Sequence, residues 1–217
     1  SKLKDQGKVD RKCYGNSTGK GDKPCVTHRP HEAQIYGATY IQQAYLMKDQ
    51  FTEKQFKIVD KYIETLWEKY VEPWATKSLI INKHTRSFIQ MADGTISALS
   101  YLAWKDKPEE ATKWIKKGIK KANRVVYKDG YINNNSFRGV RDVWYHSQGV
   151  NNLLGFYAIA ELWGYKKFPK KLKKKIDKTV DVLNLGLTDV KTYRKRKDPS
   201  GMKNHTKNQN HATYHVH

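Results

Sequence analysis

The sequence has no run of about 18 apolar residues, so it contains no candidate for a membrane-spanning helix. Apolar residues make up only 38% of the chain, which is low for a globular protein. Six Trp and fourteen Tyr nevertheless supply bulky side chains for a core, which argues against wholesale disorder. A chain of 217 residues is long enough for one domain or at most two.

Cysteine is scarce: the chain has two, Cys13 and Cys25, in an N-terminal segment rich in Gly, Lys and Asp. A disulfide between them would close a short loop in a segment with little core of its own. It also implies an oxidising compartment, so we expect a periplasmic or secreted protein. The first residue is Ser1 rather than Met, which fits a processed or trimmed chain. Two free thiols in a cytosolic protein are the alternative, but an isolated pair in a polar loop has no packing reason to exist.

Acidic residues are few: Asp and Glu number 21 against 42 Lys and Arg, which gives a formal net charge of +21. A positive field of this size attracts nucleic acid, an anionic membrane surface or an acidic glycan. Lysine used only as surface filler explains the bulk of the excess equally well. Charge alone therefore leaves the partner open.

Strand-like alternation is also missing, and large apolar residues recur at three- and four-residue intervals. Residues 1–30 form a predicted irregular N-terminal arm, and residues 31–217 a helical domain. We expect helices over about 31–47, 53–73, 86–104, 108–127, 142–162 and from 169, then a basic loop over 188–207 and a last helix from about 208. The predicted fold class is all-α, with helices in antiparallel pairs. Such pairs can close into an incomplete barrel, an α/α toroid, which periodicity alone does not separate from a helical bundle.

Two short segments collect Asn, His and Tyr side chains: 138–152 (RGVRDVWYHSQGVNN) and 208–217 (NQNHATYHVH). In the first, arginines lie ahead of a predicted helix that has a Tyr-His pair near its start. In the second, an Asn-His pair lies at a predicted helix start, where free N–H groups favour a bound anion. These are the side chains that β-elimination in a polyuronate needs: groups that neutralise the carboxylate, a base for the C5 proton and an acid for the leaving oxygen.

We therefore assign roles to both segments, and the reaction requires no metal or cofactor in principle. The predicted catalytic residues are Tyr145, His146, His211 and Tyr214. The predicted substrate-binding residues are Arg138, Arg141, Gln148, Asn152 and Asn210.

Alternatives remain for several of these residues. Taken alone, His146 is more often a half-buried histidine with a structural role. His211 and His215 have the spacing of a helical zinc pair, but no Glu follows the first His and no third ligand is identifiable, so an acid–base cluster is favoured. The Lys-rich runs at 166–175 and 191–197 fit solvated surface or a steering field better than a specific site.

The stretch from about Arg86 to His217 resembles the alginate lyase family with an α/α toroid fold. The resemblance rests on RDVWYHSQGVNN (141–152) with GFYAIAELWG (155–164), and on QNHATYH (209–215). The second segment is similar to the Asn-Asn-His-x-Tyr signature of these lyases. The resemblance implies that Asn210 and His211 bind the uronate carboxylate, that His211 can act as base, and that the substrate is polymannuronate or a related polyuronate.

The sequence departs from the signature in two ways: Gln209 replaces the first Asn, and Tyr214 is displaced by one position. The catalytic Tyr and a carboxylate-binding Arg of the family lie in a downstream segment that this chain does not have. The chain is therefore a fragment lacking that part, or Tyr145 or Tyr214 takes the role of the acid.

Two other functions remain as hypotheses. One is a non-catalytic binder of acidic glycan or nucleic acid, although nucleic acid is disfavoured because the Lys runs lie apart from the Trp residues. The other is a metal-dependent hydrolase that uses the C-terminal histidines.

Overall fold

A computed structural model describes residues 6–14, 18–26, 30–73, 75, 88–133 and 135–198. The described residues are mostly helical with two short strands, which confirms the all-α class. No helix among them is long and apolar enough to cross a bilayer. The chain divides into two compact units, residues 1–82 with 90–117 and residues 83–89 with 118–217. The predicted last helix from about 208 lies outside the described residues.

The N-terminal segment is organised by a disulfide. Strands β1 (Asp10–Tyr14) and β2 (Cys25–Val26) pair in parallel. The predicted bond between Cys13 and Cys25 is present, with the two Cα atoms 5.0 Å apart. Cys25 is buried, and both carboxylate oxygens of Asp10 accept backbone N–H groups, at 2.8 Å and 2.9 Å. The disulfide therefore joins the two strands, and the bond from Lys20 N to Asp10 attaches the loop between them to β1.

The longer elements described in the remainder of the first unit are helices. They are α1 (Pro30–Leu46), α2 (Glu53–Leu66), which continues into a π-helical turn (Trp67–Val71), α3 (Phe88–Trp104) and the first part of α4 (Pro108–Val125). Helix α2 begins with a capping box in which Thr52 Oγ1 accepts from Gln55 N and Gln55 Oε1 accepts from Thr52 N. Thr52 is therefore the N-cap of α2, because its side chain satisfies a backbone N–H that the helix leaves open.

An aromatic core with one polar anchor holds α1, α2 and α3 together. Ile41, Ile63 and Trp104 are buried against each other. The Trp104 indole N–H donates to Asp60 Oδ1 over 2.7 Å, and Lys105 Nζ donates to the same oxygen over 2.7 Å. Burial alone would raise the pKa of Asp60, but the hydrogen bonds from Lys105 and Trp104 outweigh it, so the pKa lies below the usual value of 3.8. The ionised carboxylate fixes the orientation of the indole.

The second unit contains the end of α4, then α5 (Asp142–Leu162), α6 (Lys170–Thr188) and the short α7 (Val190–Lys195). The bounds of α5 are those expected from the sequence. Two 3₁₀ turns, Asn135–Phe137 and Gly139–Arg141, lead into it. Helix α7 lies inside the segment predicted as a basic loop. It forms because Asp189 caps its first turn through Thr192 N and because Tyr193 is buried against Tyr131 and Val182.

Lysines of α6 hydrogen bond to backbone carbonyls at the end of α4. Lys175 Nζ donates to Asn123 O, Val126 O and Asn123 Oδ1 at 2.7, 2.9 and 3.0 Å. Carbonyls in the last turn of a helix lack intrahelical partners and carry partial negative charge, so an ammonium group stabilises them. Part of the Lys-rich run at 166–175 therefore has a structural role in addition to its charge.

We expect Lys175→Met to lower the free energy of unfolding by about 1–3 kcal/mol, because the carbonyls of Asn123 and Val126 lose a charged donor. Urea denaturation followed by circular dichroism measures the change. Lys174→Met is the matched control, since Lys174 is exposed, and it should change stability by less than about 0.5 kcal/mol. Equal effects of the two substitutions would contradict the capping role.

Candidate functional site

The structure describes one of the two predicted clusters. Tyr145, His146, Gln148 and Asn152 lie on the first three turns of α5, and Arg138 and Arg141 lie in the turns ahead of it. The second cluster, with Asn210, His211 and Tyr214, lies outside the described residues, so whether the two clusters meet stays a prediction. The residues of the first cluster all belong to the second unit.

His146 is buried and bonded at both ring nitrogens. Nδ1 lies 2.7 Å from the Ser136 hydroxyl, and Nε2 lies 2.8 Å from the backbone carbonyl oxygen of Thr179 in α6. The side chain has 0% exposure. Because a carbonyl only accepts, Nε2 carries the proton, and Nδ1 accepts the hydroxyl proton of Ser136. The Ser136 oxygen in turn accepts from Ile132 N at 2.7 Å.

This geometry keeps the imidazole neutral. Burial is the main cause, and it holds the pKa of His146 below its usual value of 6.5 even though the Thr179 carbonyl and the nearby Asp142 favour the charged form. Neither ring nitrogen is left for a substrate in this arrangement. Through these contacts His146 joins α5 to α6 and to the 3₁₀ turn at Asn135–Phe137. A catalytic role for His146 stays a prediction.

Tyr145, the neighbour of His146, has a different environment. Its ring is half-buried, and the guanidinium carbon of Arg138 lies 4.1 Å from the ring centroid, a cation–π contact. Asn135 Nδ2 donates to the Tyr145 backbone carbonyl over 3.0 Å and fixes the backbone there. Among the described residues, none forms a hydrogen bond with the Tyr145 hydroxyl. An arginine and a phenol are thus held side by side at the start of α5.

The other predicted binding residues are less closely grouped. Arg141, Gln148 and Asn152 are all half-buried. Gly149 is buried, and a Cβ at this position would lie 2.7 Å from Ile132 Cδ1 and 3.0 Å from Asn135 Nδ2. A glycine at this position therefore allows the loop before α5 to pack closely against the helix, which keeps Asn135 within reach of the Tyr145 carbonyl.

Three residues that matter at this site were missed from the sequence: Asp142, Tyr193 and Arg194. Asp142 is buried and accepts a forked pair of hydrogen bonds from Arg194, Nε to Oδ2 at 2.8 Å and Nη2 to Oδ1 at 3.0 Å. The Tyr193 hydroxyl donates to Ser136 O over 3.1 Å, and burial together with the Asp142 charge raises its pKa. The available signal was an Asp at the first position of a helix, where a negative charge is stabilising. Its partner Arg194 lies 52 residues away in a basic run, and nothing in the sequence distinguishes it from the other basic residues there.

No group of three His, Cys, Asp or Glu side chains that could hold a metal ion occurs among the described residues. His211 and His215 lie outside them.

Comparison with known proteins gives no family assignment: no protein-family model, no curated protein sequence and no solved structure matches this chain. The resemblance to alginate lyases at 141–152, 155–164 and 209–215 therefore stays a prediction from the sequence.

The buried neutral His146 predicts a pH-dependent stability. Its folded pKa lies below 6.5, so the unfolded chain takes up a proton at a higher pH than the folded chain does. The stabilisation is complete above the unfolded pKa and decreases below it, by at most about 1.4 kcal/mol per pH unit. We expect denaturation between pH 5 and 8 to give a smaller decrease on acidification for His146→Gln than for the native chain. Parallel curves for the two proteins would contradict a buried neutral His146.

Proposed function

We propose that the chain is a polysaccharide lyase that cleaves an acidic polyuronate by β-elimination. The observation that carries the proposal is the contact between Arg138 and Tyr145, with the guanidinium 4.1 Å from the ring centroid. It pairs a group that binds a carboxylate with a group that exchanges a proton, within the segment that resembles alginate lyases. The positive net charge of +21 suits a polyanionic substrate.

The chemistry divides between binding and proton transfer. Arg138, with Asn210, would hold the uronate carboxylate and lower the charge that builds up when the C5 proton leaves. His211 would take that proton. The C4–O bond then breaks, a C4=C5 double bond forms, and the leaving glycosidic oxygen takes a proton from a phenol, Tyr145 or Tyr214. Every step uses side chains of this chain, and none requires a cofactor.

His146 has a positioning role in this proposal. Its two hydrogen bonds tie the first turn of α5 to Ser136 and to Thr179, and Tyr145 is the adjacent residue on that turn. The geometry thus supports Tyr145, rather than His146, as the residue of this cluster that faces substrate.

The fold that we propose is an α/α toroid. Short connections join α1 to α2 and α5 to α6, as expected for antiparallel neighbours, and each pair is in contact. A crystal structure of the protein would test the arrangement: helix pairs that follow each other around a central groove support a toroid, and a closed bundle without a groove contradicts it.

A non-catalytic binder of acidic glycan is the second candidate. The engagement of both His146 ring nitrogens favours it, because one of the predicted acid–base groups is already occupied by protein partners. Binding without turnover needs only the positive charge and exposed aromatic rings such as Trp144, which is 41% exposed.

Ultraviolet absorbance with alginate or polyglucuronate as substrate separates the two, since β-elimination creates a conjugated double bond at the new chain end. We expect rising absorbance for the native chain. Tyr145→Phe should lower the rate about a hundred-fold or more because it removes the proton-exchanging hydroxyl, and His211→Ala should abolish it.

Tyr157→Phe is the matched control for Tyr145→Phe. Tyr157 lies on the same helix, and its hydroxyl donates to Glu161 instead of facing the Arg138 cluster. It should keep the native rate. A flat trace with polymer bound would support the binder, and full activity of both Tyr145→Phe and His211→Ala would show that the site assignment is wrong.

A further inference from the structure

A pocket in the second unit lies close to the Arg138–Tyr145 pair in sequence but uses different side chains. Its volume is about 290 Å³, near the lower end of the range of about 300–1,000 Å³ that small-molecule sites occupy. The lining residues come from the turns before α5 and from α7 and the residue after it: Ser136, Phe137, Gly139, Val140, Asp142, Tyr193, Arg194 and Arg196. We call this the arginine pocket.

We propose that the arginine pocket is a second carboxylate subsite, which binds a uronate residue of the same polymer chain. The inference rests on the proposed function, since it takes the acidic polysaccharide as the ligand. By its sequence alone, the run at 191–197, which contains Arg194 and Arg196, fits solvated surface or a steering field.

Asp142 orients the Arg194 guanidinium, and some of its N–H groups remain for a ligand. Its Nε and Nη2 form the fork to Asp142, and Nη2 also lies 3.5 Å from Gly139 O. Among the described residues, none accepts a hydrogen bond from its Nη1. Asp142 Oδ1 accepts from Val143 N as well, at 2.8 Å, so both carboxylate oxygens are engaged. The buried carboxylate therefore orients the guanidinium while its own charge is compensated.

Arg196 is fixed in the same way on the other side. Its Nε donates to Asp129 Oδ2 over 2.6 Å and its Nη1 to Lys197 O over 2.7 Å, and no described residue accepts from Nη2. Its guanidinium lies 5.9 Å from the ring centroids of both Tyr127 and Tyr131. Two oriented guanidinium groups thus line one pocket, and a carboxylate is the planar acceptor that such groups bind best.

Part of the remaining wall is apolar, which suits a sugar ring. Phe137, Val140 and Tyr193 supply hydrocarbon surface next to the arginines. A pyranose has apolar C–H faces and a polar edge, and in a uronate the edge carries the carboxylate. Val140 is 68% exposed, so the pocket opens to solvent on that side and a polymer can enter and leave it.

Binding of a β-D-mannuronate tetramer to the full chain, measured by isothermal titration calorimetry, tests the subsite. Arg196→Gln should raise the Kd about tenfold or more, because it removes a charge-assisted hydrogen bond. The matched control is Lys195→Gln, which removes one positive charge from an exposed neighbour that does not line the pocket, and it should change the Kd less than about twofold. Equal effects of the two variants would overturn the proposal.

Substitutions at Val140 provide a second test that leaves both arginines in place. Val140→Asp should weaken tetramer binding and Val140→Lys should tighten it, and the exposed position allows either side chain without loss of fold. Neutral mannotetraose should bind the native chain and both variants equally. Unchanged affinity for the charged tetramer in both variants would overturn the subsite.

The lyase assay distinguishes failure of the subsite from failure of the proposed function. If the native chain forms unsaturated product and Arg196→Gln has an unchanged KM, the subsite is wrong and the lyase stands. If the native chain binds the tetramer through Arg196 and forms no product, the subsite stands and the lyase is wrong.

Discussion

The hydrogen-bonded ring of His146 is the interaction on which the second unit depends. It joins three segments that are distant in the chain: the turn at Ser136, helix α5 and the Thr179 carbonyl of α6. A buried imidazole without both partners would be destabilising, because an unsatisfied buried polar group costs about 1–3 kcal/mol. Tyr193 adds a second connection, since its hydroxyl donates to the backbone of the same Ser136. The start of α5 is therefore held rigidly, and this is where Arg138 and Tyr145 lie.

In this arrangement, the side chains that hold the structure together differ from those that can contact a ligand. The buried side chains, His146, Tyr193 and Asp142, have their polar atoms engaged with the protein. The more exposed ones, Arg138, Tyr145 and Arg196, retain groups that can meet a ligand. A catalytic or binding group is effective when neighbouring structure holds it in one orientation before the ligand arrives. The proposed lyase and its second carboxylate subsite both use exposed groups of this kind, and they share α5 and the turns before it.

Much of the fold followed from the sequence because it depends on local signals. Thr52 is a good N-cap residue directly before a helical pattern, and Gly164 is a stop signal just after the end of α5. The disulfide followed from an isolated cysteine pair. The contacts of His146 could not be predicted from the sequence, since one of its partners is a backbone carbonyl 33 residues away in the chain. Helix α7 was missed because six residues in a basic run have too little periodicity, and the burial of Tyr193 that stabilises it is a tertiary effect.

The tautomer and charge of His146 test this account most directly. A long-range nitrogen–proton NMR correlation spectrum of uniformly ¹⁵N-labelled protein, assigned with His146→Gln, reports both. We predict a neutral ring protonated at Nε2 above pH 6.5, because burial holds its pKa below that value. A ring protonated at Nδ1, or a ring that is mostly imidazolium at pH 6.5, would contradict the link between Ser136 and Thr179 and would make His146 a candidate acid–base group again.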